Sequence, residues 1–258
     1  MKTSTRIVLI FVVLLAFIGI QSFTTSVQDE PTAEQVIKKA QDKMQGTTTK
    51  AEMKISIIRP KWSRTMQLKT WSKGTTYGMT LITAPARDKG TVFLKRGNEV
   101  WNWVPTVERI IKLPPSMMGQ SWMGTDLTND DLVKESSMEK DFTHTLNGKE
   151  TVGGRTCYKI TSIPKEDAAV VWGKVISWID TKDYLQMKTE FYDEDEELVN
   201  TFTASGIKVM GGKTVASLIE IVPADKTGHK TKMEYISLTF NESIDDSFFT
   251  TQNMKKVK

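Results

Sequence analysis

Cysteine is the scarcest residue of this 258-residue chain, and its scarcity limits how the fold can be held together. The single Cys157 has no second cysteine with which to form an internal disulfide. A chain of this size can bury enough surface to be stable without disulfides, so an oxidising compartment stays compatible with the sequence. Cys157 lies in an apparent strand, and we predict that it is a small core residue.

Motifs for catalysis and metal binding are scarce as well. The only histidines, His144 and His229, are far apart and have no second histidine at metal-ligand spacing. We expect both in surface strands or turns. The sequence has no Gly-x-Ser-x-Gly turn and no glycine-rich phosphate loop before a helix. No catalytic residue, metal or cofactor is therefore predicted, although a dispersed carboxylate pair stays open because its spacing is spatial.

Neither sign of charge dominates the sequence. Lysine and arginine number 35 against 31 acidic residues, which gives a formal net charge of +4. Removal of Lys2 and Arg6 with a leader would leave 33 against 31, or about +2. This balance is too even for a protein that binds nucleic acid.

An acidic run at residues 193–197 is the one local concentration of charge that could suggest calcium. A calcium loop of the EF type needs glycine at its sixth position, where this sequence has Leu198. We therefore predict a solvated hairpin tip.

The N-terminus has the pattern of an export signal. Lys2 and Arg6 accompany an apolar run over residues 7–20, and polar residues begin at Gln21. A membrane-spanning helix needs about 20 apolar residues, and this run is shorter. We expect a cleaved signal peptide over residues 1–26 and a single domain over residues 27–258, with an uncleaved membrane anchor as the alternative.

One helix and a long series of strands are predicted in that domain. Thr32 is the predicted N-cap of a helix whose apolar residues recur at helical spacing until Gly46. Period-two alternation follows through most of the chain, with hairpin signals at Gly97-Asn98 and Gly211-Gly212. The pattern predicts a mainly β fold with a curved antiparallel sheet of about eleven strands.

The strand pattern breaks over residues 113–137. Pro114-Pro115 stops a strand, and small residues with interspersed methionine and tryptophan follow. Thr128 and Asp131 form a capping box that predicts a short helix through Val133. We interpret the segment as a mobile lid whose apolar side chains are Met117, Met118 and Trp122.

Large apolar side chains are unusually numerous, with thirteen methionines and seven tryptophans. A packed core accounts for any one of them, but methionine also adapts to varied apolar ligands. Because a single curved sheet has a concave face with little to cover it, that face can enclose a cavity. The predicted cavity wall is Met53, Ile55, Ile57, Met66, Leu68, Met79, Leu81, Leu94, Trp101 and Trp103.

Five short motifs occur in an order that is fairly specific. They are Gly-Asn-Glu-Val-Trp-Asn-Trp at 97–103, Gly-Thr-Asp-Leu at 124–127, Asp-Asp-Leu at 130–132, Val-Ile-Ser-Trp-Ile-Asp at 175–180 and Lys-Thr-Glu-Phe-Tyr-Asp at 188–193. In this order, after a leader and one helix, they resemble the outer-membrane lipoprotein-sorting family, which is related to the LolA-type periplasmic carriers. The resemblance covers about residues 33 to 256.

The resemblance implies an incomplete, half-open β-barrel whose concave face is covered by the N-terminal helix and a short helical lid. It also implies a cavity for acyl chains and a membrane exporter as donor. LolA carriers hold the lid with an arginine that precedes a proline after a Trp-containing strand. Our alignment places Lys73-Gly74 there, after Trp71. A lysine cannot reproduce the forked donor geometry of an arginine.

We therefore expect a non-catalytic, monomeric carrier in the periplasm of a Gram-negative bacterium. It would bind acyl chains of lipoproteins or other lipids and move them from an inner-membrane exporter to an outer-membrane acceptor. One alternative is a lipid-sensing or interaction module that works with an exporter or a signalling protein. The other is a hydrolase with dispersed carboxylates.

Overall fold

A single antiparallel sheet dominates the computed structural model of the chain. The structure describes residues 30–131, 138–166, 168 and 170–258. The predicted signal peptide therefore lies outside the described residues, as does the predicted helix at 132–133. Within the described part, Pro31–Lys258 forms one compact unit. No helix in these ranges is both long and apolar enough to cross a membrane.

The predicted N-terminal helix is present as α1, Ala33–Met44. The Thr32 hydroxyl accepts from the Gln35 backbone N–H, and the Gln35 side chain accepts from the Thr32 N–H, so a capping box starts the helix. Its buried residues are Ala33, Val36, Ile37 and Ala40. These are the positions that the helical spacing of apolar residues predicted.

Thirteen strands follow the helix, two more than predicted. They are β1 Thr48–Arg59, β2 Trp62–Lys73, β3 Tyr77–Ala84, β4 Val92–Arg96, β5 Glu99–Val104, β6 Arg109–Lys112, β7 Phe142–Val152, β8 Arg155–Pro164, β9 Lys174–Asp180, β10 Gln186–Tyr192, β11 Leu198–Met210, β12 Lys213–Pro223 and β13 Lys230–Phe240. The four residues of β6 are too few to show an alternating pattern. Between β6 and β7, the described residues include two single-turn helices, α2 at Pro115–Met118 and α3 at Met138–Asp141.

The strands form two meanders that meet in the middle of the sheet. The spatial order is β6-β5-β4-β3-β2-β1-β13-β12-β11-β10-β9-β8-β7. Every pairing is antiparallel, and β1 pairs with β13 at the junction. Among the described residues no pairing joins the edge strands β6 and β7, so the sheet is not closed into a barrel. The predictions of a mainly β class and an unclosed sheet are confirmed.

The register assigns the side chains to two faces, because residues directly opposite each other on paired strands point to the same side. We call the side that α1 covers the helix face; it includes Ile160 and Ile179, against which α1 packs. We call the other side the tail face. The C-terminal segment 244–257 covers part of it, with Phe249 and Met254 packed on Met79 and Leu94.

The predicted hairpin turns are also present. Gly97-Asn98 joins β4 to β5, and Gly211-Gly212 joins β11 to β12. Gly211 has a φ of +55°, and a Cβ there would lie 2.8 Å from the Leu238 carbonyl oxygen of β13. Glycine is required at that turn for both its conformation and its close approach.

Candidate ligand-binding face

Half of the predicted cavity wall lies on the helix face. Its members form one buried cluster in which Trp122 also packs. Direct pairs in the sheet connect them: Met53 lies opposite Leu68, and Ile55 lies opposite Met66. This half of the wall comprises Met53, Ile55, Ile57, Met66 and Leu68.

The other half of the predicted wall points to the tail face. A register shift at Gln67 and Leu68 pairs Leu68 with Ile82, so Ile82 is on the helix face and its neighbour Leu81 is not. The tail-face group packs on the C-terminal segment, with its tryptophans partly buried and the rest fully buried. It comprises Met79, Leu81, Leu94, Trp101 and Trp103. The structure therefore does not bring the ten residues together around one cavity, and a lipid-binding role for any of them stays a prediction.

Sequence reasoning missed a row of partly exposed apolar residues that continues the helix face across β10–β13. Phe202 lies opposite Ile221, and Met233 lies opposite both Ile55 and Ile219. The Phe202 ring packs on Phe191 with centroids 4.9 Å apart. The row is Phe191, Phe202, Ile219, Met233 and Tyr235. Its alternation was visible in the sequence, but the clustering of tryptophan directed attention to the first half of the chain.

Two of the three predicted lid residues, Met118 and Trp122, pack on the helix face. Met117 and Met118 are in α2 and are partly buried, and Met118 packs on the cluster around Met66. Trp122 is buried, and its ring meets Phe93 edge-on at 5.5 Å. Asp131 and Thr128 exchange hydrogen bonds as the capping box predicted. The segment at 113–131 is thus an apolar cover of the first-half strands, while its mobility stays a prediction.

A buried ion pair holds this segment to the end of β1. The Arg59 guanidinium donates to the Asp126 carboxylate over 3.1 Å and to the Gly124 carbonyl over 2.8 Å. The two side chains are only 9% and 6% exposed. The Thr231 hydroxyl adds a 2.7 Å hydrogen bond to the same carboxylate, and the Arg64 guanidinium donates to the Met123 carbonyl. Three strand residues therefore hold the backbone carbonyls of Met123 and Gly124 and the side chain of Asp126.

The alignment that placed a lysine in the lid-holding position is wrong. Lys73 is bonded to Asp246 and to the Ile244 carbonyl, so it fastens the C-terminal segment on the tail side. The hydrogen bond to Asp246 raises the pKa of Lys73. The arginine that contacts the 113–131 segment is Arg59, and it precedes Pro60. Both Trp62 and Trp71 belong to β2, whereas β1, which ends at Arg59, contains no tryptophan, so the requirement for a Trp-containing strand pointed to the wrong strand end.

The prediction of a surface position is wrong for His144. Its side chain is buried on β7, and its Nδ1 lies 2.8 Å from the Ser162 hydroxyl. Burial lowers the pKa of His144, and the nearby Glu34 carboxylate of α1 opposes this shift. The strand alternation around His144 is polar, so the sequence did not reveal that α1 and α3 lie over this part of the sheet.

Other candidate chemistry belongs to ordinary structural features. Cys157 is buried as predicted, and burial raises the pKa of its thiol. The acidic turn is an exposed tip in which the Asp193 carboxylate accepts from the backbone N–H groups of Asp195 and Glu197. Within the described ranges, no group of three or more histidine, cysteine or acidic side chains could hold a metal ion.

The clefts of the described structure include two open ones. One, of about 420 Å³, lies between the C-terminal segment and the tail face, with Trp71, Ile244 and Phe248 among its lining residues. The other, of about 390 Å³, is lined mainly by polar side chains such as Lys54, Lys232 and Glu234. Neither cleft is the predicted acyl-chain cavity.

The chain has the fold of several solved structures. A DUF1329 family protein from Desulfovibrio piger has a TM-score of 0.77 at 21% identity, covering 87% of this chain and 100% of its own. An outer membrane lipoprotein-sorting protein domain from Vibrio parahaemolyticus has a TM-score of 0.76 at 20% identity, with coverage of 86% and 98%. A LolA superfamily protein from Nitrosomonas europaea has a TM-score of 0.72 at 21% identity, with coverage of 86% and 99%. At these identities the likeness establishes the fold.

Sequence comparison assigns the chain to a protein family. No curated protein matches the chain in sequence. A family model with the description "Uncharacterized protein" matches residues 74–256, which is well over half of the sequence. The chain therefore belongs to the family that this model describes, and its fold is that of the LolA-like lipoprotein-sorting proteins.

Proposed function

We propose that this protein is a non-catalytic carrier that binds acyl chains of lipoproteins or other lipids on the helix face. The observation that carries the proposal is the methionine-rich margin of that face. Partly buried methionines surround the buried cluster from α1, the 113–131 segment, β11 and β13. They are Met44, Met118, Met123, Met210 and Met233. Flexible, polarizable side chains at the edge of an apolar surface can repack around chains of different shape.

The apolar row on β10–β13 extends this surface beyond the cover formed by 113–131. Phe191, Phe202 and Met233 are only partly buried, whereas the apolar residues that β1 and β2 place on this face, such as Ile55 and Met66, are fully buried. An acyl chain that occupied this row would gain about 0.8 kcal/mol for each CH₂ removed from water. A chain of about 16 carbons would therefore gain on the order of 12 kcal/mol before the cost of ordering it. Burial of this size needs no covalent step.

The Arg59–Asp126 pair gives the carrier a means to keep its cover in place. Residues 123–126 are fixed to β1, β2 and β13, whereas α2 is attached mainly through partly buried methionines. We expect the cover to open around α2, with the ion pair as its fixed point. Release of the cargo would then require an acceptor with a better apolar site.

Periplasmic location and transfer towards the outer membrane are part of the same proposal. The predicted leader at residues 1–26 would direct export, and the solved structures with this fold include a lipoprotein-sorting domain. An inner-membrane exporter would be the donor and an outer-membrane acceptor the destination. Fractionation of a Gram-negative host should recover the protein, without its leader, in the periplasmic fraction.

Lipid extraction and native mass spectrometry of the protein from its own periplasm test the proposal directly. We expect a copurifying acyl-chain lipid, and uptake of a fluorescent fatty acid by the emptied protein. Phe202→Glu should lower that uptake at least tenfold, because it places a carboxylate in the apolar row. Val209→Glu is the matched control, since Val209 is 70% exposed on the tail face. A clean ligand-free mass together with no uptake would refute the carrier.

Transfer assays separate the carrier from the two alternatives. A carrier should deliver bound lipid to acceptor vesicles, whereas a sensor should bind lipid and retain it. Turnover of a soluble substrate that is lost on replacing one acidic residue would identify a hydrolase instead.

A further inference from the structure

We propose that one rim of the sheet docks on a bilayer surface that carries anionic headgroups, with Trp62 as the side chain that enters the interface. The rim consists of four turns: β1–β2 at residues 60–61, β3–β4 at 85–91, β5–β6 at 105–108 and β12–β13 at 224–229. We call these turns the basic rim. The inference does not depend on which cargo the helix face binds.

Contacts between neighbouring turns make the basic rim continuous. A Cβ on Gly228 would lie 3.2 Å from Pro60, which places the β12–β13 turn against the β1–β2 turn. The Arg64 guanidinium lies 3.6 Å from the Asp88 carboxylate, which connects the start of β2 with the β3–β4 turn. A Cβ on Gly90 would lie 3.3 Å from Pro105, so the β5–β6 turn adjoins as well.

Large apolar side chains project from this rim into water. Trp62 is 52% exposed and Val107 is 56% exposed. The Trp62 ring is supported from one side by the Arg59 guanidinium, 5.9 Å from its centroid. An exposed tryptophan beside cations is suited to the boundary between headgroups and acyl chains, because its ring is apolar and its indole N–H is polar.

The charge of the rim is strongly positive. The four turns and the strand ends beside them carry eight basic residues, Arg59, Lys61, Arg64, Arg87, Lys89, Arg109, Lys226 and Lys230. Three acidic residues, Asp88, Glu108 and Asp225, lie among them, which leaves a net charge of +5. When Asp126 is counted against Arg59 and Glu220 against Lys230, the rim carries +3. Within the described residues, the exposed Lys61 and Lys89 have no ion-pair partner.

Cations at the opposite end of the sheet are neutralised by acidic partners. The pairs there are Lys73–Asp246, Lys112–Glu99 and Arg155 with Asp180 and Asp183. The acidic turn at 193–197 lies at the same end as the basic rim, next to the β12–β13 turn, because β11 starts where β12 ends. Positive charge without matching acidic partners is therefore concentrated in the four turns that also expose Trp62. Anionic headgroups attract such a cluster within about one Debye length of the membrane surface. Charge and apolar exposure together favour a bilayer over a soluble anion as the partner.

Sedimentation with vesicles tests the proposal. The full chain would be mixed with vesicles of phosphatidylcholine alone or with about one third phosphatidylglycerol. We expect binding to the anionic vesicles that weakens as salt is raised. Lys61→Gln and Lys89→Gln should each weaken binding about 5-fold. Trp62→Ser should weaken it at least as much and should reduce the salt-resistant part of binding.

Controls come from the other end of the sheet. Lys208→Gln and Val209→Ser remove one exposed charge and one exposed apolar side chain there, and both variants should bind like the parent protein. All variants share residues 1–29, so differences between them report on the rim. The proposal would be overturned by equal binding to neutral and anionic vesicles, or by rim variants that bind like the parent protein. It would also be overturned if the control variants lost as much vesicle binding as the rim variants. Competition by millimolar glycerol 3-phosphate would also overturn it, because it would indicate a soluble-phosphate site. Parental fatty-acid uptake by the rim variants keeps this test separate from that of the carrier.

Discussion

Replacing Asp126 by Asn should detach the 113–131 segment from the end of β1. The substitution removes the negative charge opposite Arg59 and retains a side chain of similar size. Arg59 would keep its hydrogen bonds to the carbonyls of Ile58, Gly124 and Lys230, but its charge would be buried without a counter-ion. The Thr231 hydroxyl would lose its charged acceptor as well.

The expected loss of stability follows from the burial of the Arg59–Asp126 pair. Removing one partner of a buried ion pair typically costs about 3–5 kcal/mol. Because the three carbonyls continue to accept from Arg59, we expect the lower end, about 3 kcal/mol. The exposed pair Lys54–Glu234, at 2.9 Å and roughly two-fifths exposed on each side, is the matched comparison. Glu234→Gln should cost about 1 kcal/mol or less.

Two assays locate the loss. Urea unfolding would report the change in the free energy of unfolding, and hydrogen exchange would report opening of the backbone at 122–129. If the segment opens without the sheet, exchange at Trp122 and Asn129 should accelerate about 100-fold while the β1–β13 pair stays protected. The double variant Arg59→Met, Asp126→Leu should recover much of the loss, because it leaves no buried charge. Equal small losses in Asp126→Asn and Glu234→Gln would refute the role given to the ion pair.

Three further predictions concern other parts of the structure. Burial places the folded-state pKa of His144 below its ordinary value of 6.5, so the unfolded chain takes up the proton more readily. Stability should therefore fall as pH drops below about 6.5, by at most about 1.4 kcal/mol per pH unit. His144→Gln should remove this slope in urea titrations at pH 7 and pH 5. The Cys157 thiol, whose pKa burial raises, should resist iodoacetamide in the native protein at pH 8 and react when urea unfolds it; rapid native labelling would contradict its place in the core. Met66→Ala and Leu94→Ala should each destabilise the folded protein by about 2–5 kcal/mol. Only Met66→Ala, on the helix face, should change the chain-length preference of fatty-acid uptake. An equal change in Leu94→Ala would place the tail face in the site.

Local sequence patterns were sufficient to predict the helix, strands and turns, but they were insufficient to predict which face of the sheet each side chain occupies. The capping box at Thr32, the hairpin glycines and the alternation along β1 all depend on neighbouring residues, and the structure has them as predicted. The wrong face was assigned to Leu81 and Met79 because the β2–β3 hairpin pairs them with Lys69 and Trp71, not with Leu68 or Met66. This register depends on the partner strand, so the sequence of β3 alone does not reveal it.

Contacts between distant parts of the chain were also beyond prediction. The tail-face tryptophans are covered by residues 244–257, which show no strand pattern and gave no sign of where they pack. Arg59 meets Asp126 across 67 positions, and the lid-holding role was therefore assigned to the wrong strand end. The row from Phe191 to Tyr235 was readable as alternation, but its relation to Met53 and Ile55 depends on the β1–β13 pairing.

That central pairing has a consequence for how the protein folds. Each meander can form from hairpins between successive strands, which close short loops at low entropic cost. The pair between β1 and β13, by contrast, joins Thr49 to Phe240 and must wait until the last strand has been synthesised. Until then both β1 and the growing second meander expose an unpaired strand edge, which is a surface prone to aggregation. Folding should therefore be limited by one late, non-local step. A chaperone that shields β1 would raise the yield of native protein and leave its stability unchanged.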